Sequence, residues 1–273
     1  MIYDDTQCTL GEGPLWHPLR GDLFWFDILG KRLHCKARHW QFDEYVSAAG
    51  WVDADTLLIA SQTALSRFDL RDGSQTKLCD LEADNPVTRS NDGRADPKGG
   101  FWIGTMGIEA ESGAGAIYRY YKGELRRLFA PISISNAICF APDGQTAYFC
   151  DTPLQQIMRV ALDAEGWPKG DPVVHIDLTG TDFRPDGAVV DAQGNLWNAQ
   201  WGASRVAGYA PDGTFIESFS FQARQTSCPA FGGDDLTTLY CTTAATGLDG
   251  PDEGKTYTTS TSFKGQAEHQ VIL

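Results

Sequence analysis

Four oxygen-bearing side chains stand at a matched distance ahead of short apolar runs. Glu12 lies 11 residues before Leu23, Asn91 10 before Phe101, Asn136 11 before Ala147 and Asp186 10 before Leu196. Two further runs carry Ala49, 8 before Leu57, and Cys228, 11 before Leu239, at the corresponding places. If the fold gathers matched positions, two carboxylates and two carboxamides form a hard, oxygen-rich site for one divalent cation, suited to Ca²⁺, Mg²⁺ or Mn²⁺. Zn²⁺ stays open through the carboxylates, although no His sits at these offsets. Taken singly, each Asp or Asn is at home in a turn, bonded to nearby backbone. Four at matched offsets favour a shared site, because unpaired polar groups aimed into a narrow channel are costly.

The elements that must position these groups are short strands. Runs of leucine, β-branched and aromatic residues begin at Leu23, Leu57, Phe101, Ala147, Leu196 and Leu239. Turn signals such as Arg20-Gly21-Asp22, Lys98-Gly99-Gly100 and Pro142-Asp143-Gly144 precede most of them. A second run follows each, as at Leu65–Phe68 and Ile157–Val160, and outer runs follow at Leu125–Phe129, Val173–Ile176 and Phe215–Phe219. No long stretch has helical period. Six units of about 45 residues, each with four short strands, predict an all-β six-bladed β-propeller spanning residues 1–273 as one domain. The second unit is the weakest, short and without a Gly turn. Closing the ring should pair Gln270–Leu273 with Ile2-Tyr3 and so hide two sheet edges.

Composition narrows the function classes. The 273 residues carry 22 Lys and Arg against 36 Asp and Glu, a formal charge of −14 that argues against nucleic acid, since phosphate binding needs a basic face. Such a charge disfavours holding an anionic product and leaves the approach of a neutral substrate unopposed. No run approaches the roughly 20 apolar residues of a membrane helix. The acids in Met1–Leu10 are unlike a signal peptide, so a cytoplasmic protein without membrane partners is expected. Seven cysteines with wide spacing and no C-x-x-C read as reduced, mostly buried thiols.

Gly11-Glu12-Gly13-Pro14, Arg89-Ser90-Asn91-Asp92-Gly93, Gly104-Thr105-Met106, Ile134-Ser135-Asn136, Pro185-Asp186-Gly187 and Phe231-Gly232-Gly233 together resemble the regucalcin/gluconolactonase (senescence marker protein) family, in order over essentially the whole chain. The resemblance implies a six-bladed propeller, one divalent metal in the channel and hydrolysis of sugar lactones. It implies Glu12, Asn136 and Asp186 as metal ligands and Arg89, Asn91 and Glu109 as substrate contacts. For Asn91, direct binding to the metal, binding through water and binding to substrate alone all stay open. Ala137 stands where the family commonly has Gly, and is expected to crowd the channel slightly.

Opening a lactone needs an activated water, stabilisation of the oxyanion and protonation of the leaving ring oxygen, and a divalent cation can polarise the carbonyl or acidify a water. G-x-S-x-G and H-E-x-x-H are absent, which counts against an α/β-hydrolase or a zincin. Asp186 is the expected catalytic residue as base to the water, with the alternative that it is a ligand only, because a cation weakens a carboxylate as a base. Arg89 is expected to donate to sugar hydroxyls, or else to pair with Asp92 or Glu109. Trp16 is expected in the core; Trp201 is placed at the channel mouth or in the core. The competing readings are a Ca²⁺-binding regulatory protein without turnover and an esterase or phosphotriesterase-like hydrolase on the same propeller.

Overall fold

In the computed structural model, which describes residues 1–273, six four-stranded antiparallel sheets are arranged as blades around a central channel. Their innermost strands are Gly11–His17, Val46–Asp53, Thr88–Ala95, Ser135–Phe140, Arg184–Val190 and Gln225–Gly232, numbered here as blades 1 to 6. All six runs singled out in the sequence are the second strands of their blades. There is no α-helix, only one 3₁₀ turn at Thr152–Leu154, and no helix is long and apolar enough to cross a membrane.

The apolar residues sort into six clusters, one at each contact between neighbouring blades. Trp102 packs with Ile138 and Phe140 between blades 3 and 4, and Trp197 with Phe231 between blades 5 and 6. Each such fully buried side chain contributes roughly 1.5–3 kcal/mol, which is what a lone four-stranded sheet with two apolar faces lacks. The seven cysteines are all free, six of them buried.

Blade 2 is complete despite its short sequence. The Asp53 carboxylate accepts the Asp55 N–H at 2.9 Å, so an Asx turn does the work of the missing Gly. Glu12 lies four residues ahead of Trp16, the cross-strand partner of Leu23; the residue four ahead of Trp51, the partner of Leu57, is Ser47, so Ser47 rather than Ala49 is the match in blade 2.

Ring closure differs from the expectation. Blade 6 has only three strands from the C-terminal part of the chain, and Ile2–Asp4 supplies the fourth by pairing with Thr256–Ser260. The C-terminal segment instead crosses the end of the channel remote from Glu12. Val271 donates its N–H to Trp51 O and Ile272 to Gly99 O, at 2.9 and 2.8 Å. Val271 fills the apolar contact between blades 2 and 3, and that burial outcompetes an edge pairing at the opposite rim.

Candidate active site

The inner strands present their polar groups through β-bulges. Register breaks fall between Glu12 and Leu15, Ser90 and Gly93, Asn136 and Cys139, and Pro185 and Ala188. An extra residue bends the strand and re-aims its side chains, so a residue that would otherwise pack between blades turns to the channel. In blade 1 the bulge uses Gly13 at φ +54°; in blade 4 the equivalent residue is Ala137 at φ +56°. The Ala137 methyl lies in the apolar contact between blades 4 and 5, so it strains the backbone and does not crowd the channel.

Two aspartates fasten the starts of these strands. Asp27 accepts the N–H groups of Thr9 and Leu10 at 3.1 and 3.0 Å, and Asp151 those of Ser133 and Ile134 at 3.0 and 2.9 Å. They occupy the same place in blades 1 and 4, opposite Gly11 and Ser135, one residue ahead of Glu12 and Asn136.

A cavity of about 350 Å³ opens at this end of the channel and gathers Glu12, Asn136, Asp186, Arg89 and Asn91 on its floor. Glu12, Asn136 and Asp186 are 7%, 2% and 5% exposed. Asn136 is held by its amide: Nδ2 donates to Thr152 Oγ1 at 2.9 Å, and Thr152 Oγ1 donates on to Pro185 O at 2.8 Å. That leaves Asn136 Oδ1 as the free acceptor, met only by Asn91 Nδ2 at 3.3 Å. Asn198 Nδ2 donates to the backbone oxygens of Asp186 and Gly187, at 2.9 and 3.1 Å, and so holds the blade 5 bulge. Sequence reasoning missed Thr152, Asn198, Asp27 and Asp151; for the two aspartates, their recurrence just after the second-strand runs was the available signal.

Arg89 is buried and forms no ion pair. Its Nη1 donates to Ser90 O at 2.9 Å and to Asn91 Oδ1 at 2.8 Å, while its Nε has no partner. Asn91 Nδ2 also donates to Ser135 O at 2.9 Å, so in this orientation Asn91 links Arg89 to Asn136 and directs its oxygen at the guanidinium. Glu109 is exposed on the turn beyond the second strand of blade 3, between Ile108 and Ala110, which line the cavity; its own side chain does not. Trp16 stacks on Tyr240 in the core, whereas Trp201 lines the cavity. None of the five histidines lines it; His17 and His34 are buried within the blades.

The charges on the floor are out of balance. Burial, and after it the Asp92 carboxylate, lift the Glu12 carboxyl to about 8 against the pull of the Gly13 N–H and Arg89. Burial, then Glu12 and Asp92, hold the Asp186 carboxyl well above the usual carboxylate range. Burial draws the Arg89 guanidinium down to about 10, still charged at neutral pH. No side chain donates to the Asp186 carboxylate, and Glu12 receives only its neighbour's N–H at 3.2 Å. Two buried carboxylates without a cationic partner, beside a free carboxamide oxygen, are a donor set that a hard divalent cation fits.

A family profile described as SMP-30/Gluconolactonase/LRE-like region matches residues 10–245. The chain belongs to that family. It is 37% identical to an L-arabinolactonase of Azospirillum brasilense, over 96% of this chain and 92% of that one. It is 31% identical to a 6-deoxy-6-sulfogluconolactonase of Pseudomonas putida, over 95% and 94%. Among solved structures, a calcium-binding protein, regucalcin, from Agrobacterium tumefaciens superposes with a TM-score of 0.97 at 42% identity, covering 100% of this chain and 97% of the other.

Proposed function

We propose that this protein hydrolyses sugar lactones to the free acids, with a divalent cation held by Glu12, Asn136 Oδ1 and Asp186. The observation that carries this reading is the meeting of two unpaired buried carboxylates and one free carboxamide oxygen with a buried guanidinium on one cavity floor. Relatives named as lactonases support it. The cation, when bound, would polarise the lactone carbonyl and lower the pKa of a nearby water.

The chain's own residues do the rest. Water adds to the carbonyl carbon, the ring C–O bond breaks, and the ring oxygen leaves as a hydroxyl. Asp186 accepts the proton from the attacking water and returns it to that oxygen; neither of its carboxylate oxygens is tied to another side chain. Arg89 offers its unpartnered Nε–H to the developing oxyanion or to a hydroxyl beside it, and stays charged throughout. Asn91 keeps the guanidinium in register with Asn136. Glu109 would contact substrate only if the exposed turn that carries it folds over the mouth.

The test is acid release from a panel of aldonolactones with Ca²⁺, Mg²⁺, Mn²⁺ or Zn²⁺, and with a chelator after metal removal has been verified. The reading predicts turnover that falls at least 100-fold with chelator and in Asp186→Asn. Equal rates with and without metal would overturn it. A second reading, a Ca²⁺-binding protein without turnover, is favoured by the similarity to the Agrobacterium regucalcin; it predicts tight Ca²⁺ binding and no acid release from any lactone.

A further inference from the structure

Seven of the eight tryptophans rest against another aromatic ring inside the protein. Trp201 does not: its ring stacks on nothing, its indole N–H has no acceptor, and it is partly exposed on the cavity wall. It ends the second strand of blade 5, directly opposite Arg184 on the strand that carries Asp186, so a rigid ladder fixes it beside the reacting centre. The wall around it is apolar, formed by Leu10, Leu29, Met106, Ile108 and Ile134. Thr152 and Thr246, the two hydroxyls on the lining, already donate to Pro185 O and Thr9 O. Arg89 on the floor is the only cation among the lining residues, and the Arg184 guanidinium is directed at the carbonyls of Thr181 and Phe183.

We infer that Trp201 and this wall select a neutral lactone with a short or deoxygenated exocyclic end, whose C–H face stacks on the indole while its hydroxyls and carbonyl meet the floor. An apolar wall with both hydroxyls spent cannot repay the desolvation of a phosphate, sulfonate or carboxylate at the far end of the sugar. The inference rests on the lactonase reading and adds which lactones the site takes.

Two measurements keep the two claims apart. In the first, kcat and KM are measured on a five-carbon aldonolactone, a 6-deoxyhexonolactone and a hexonolactone phosphorylated on its terminal carbon. We expect kcat/KM at least tenfold higher for the two uncharged lactones. Trp201→Ala should raise their KM about tenfold with kcat within threefold, as expected for an aromatic contact of about 1.4 kcal/mol; Trp201→Phe should recover most of the loss. In the second, a 1,4-anhydropentitol, which has the ring but no carbonyl, is titrated into ¹⁵N-labelled protein. It should shift one indole N–H resonance saturably, the one missing from Trp201→Ala. A phosphorylated lactone turned over as efficiently as the neutral ones, an unchanged KM in Trp201→Ala, or an indole spectrum that does not move would each overturn the inference. A shifted Trp201 signal in a protein that opens no lactone would support the stacking and sink the hydrolase reading instead.

Discussion

At the scale of single residues, Asn136 shows how a neutral side chain is made into a directed ligand. A carboxamide can turn either end to the cavity, and the Thr152 hydroxyl decides which by accepting from Nδ2. Thr152→Val keeps the shape and removes the acceptor, so Asn136 becomes free to flip. Cation affinity and kcat/KM should fall 10- to 100-fold, the usual consequence of removing a group that orients a ligand. Thermal stability should change little, because Thr152 is only partly buried. A titration of metal into the variant reads the first effect and a melting curve the second. Ala137 is the counterpart in the backbone. Its φ of +56° costs roughly 1 kcal/mol relative to Gly, but its methyl is buried between blades, worth about as much. Ala137→Gly should therefore leave stability within about 1 kcal/mol in urea unfolding.

At the scale of the element, the inner strand is the positioning device, and it was only half legible. The apolar runs and their spacing marked every second strand, because alternation and turn residues write directly into sequence. The bulges did not show: Asn91 and Asp186 lie 10 residues ahead of their runs and Glu12 and Asn136 11, yet each lies four residues ahead of the cross-strand partner of its run (Ala95, Val190, Trp16 and Phe140), so the one-residue difference sits in the hairpin and the bulge leaves no mark in the spacing. In blade 2 the same count from Trp51, the partner of Leu57, gives Ser47 in place of Ala49. The hairpin of blade 3 rests on a buried ion pair. Asp96 accepts from Lys98 N and Gly100 N at 2.7 and 3.1 Å, and Arg119 Nε donates to its other oxygen at 2.7 Å, both side chains having no exposure. Arg119 also donates to Glu165 O of the neighbouring blade at 2.8 Å and stacks on Trp167. Arg119→Ala strands a charged, buried Asp96 and should cost about 3–5 kcal/mol in urea unfolding. A loss under 1 kcal/mol would show that Asp96 is satisfied by backbone alone.

At the scale of the whole molecule, pseudo-rotation gathers residues 174 positions apart, Glu12 and Asp186, into one site. That much followed from the repeat. Which terminus closes the ring did not, because Ile2–Asp4 and Val271-Ile272 are both short apolar segments, and only the packing of Val271 between blades 2 and 3 separates them. The site's charges also act on the molecule as a whole. Without a cation, Glu12 near 8, Asp92 near 6 and Asp186 well raised all hold protons in the folded state that an unfolded chain releases above about pH 4. The folded state then binds more protons, so stability of chelated protein should rise as pH falls from about 8 to about 6.5. Below about 6.5 the imidazoles of His17 and His34, buried, and of His175 and His269, half-buried, all pushed down by desolvation, oppose that trend, since the unfolded chain takes up protons they refuse. Saturating divalent cation keeps the carboxylates charged and should abolish the rise. Melting temperatures across this range, with chelator and with Ca²⁺, test the sign; identical pH profiles in the two conditions would contradict it.

The most direct test is a calorimetric titration of Ca²⁺ or Mn²⁺ into chelator-stripped protein, wild type beside Glu12→Gln. A site built by Glu12, Asn136 and Asp186 predicts one ion bound per chain, with at least 100-fold weaker binding in the variant and an unchanged fold by circular dichroism. No binding by the wild type, or equal affinity in Glu12→Gln, would contradict it.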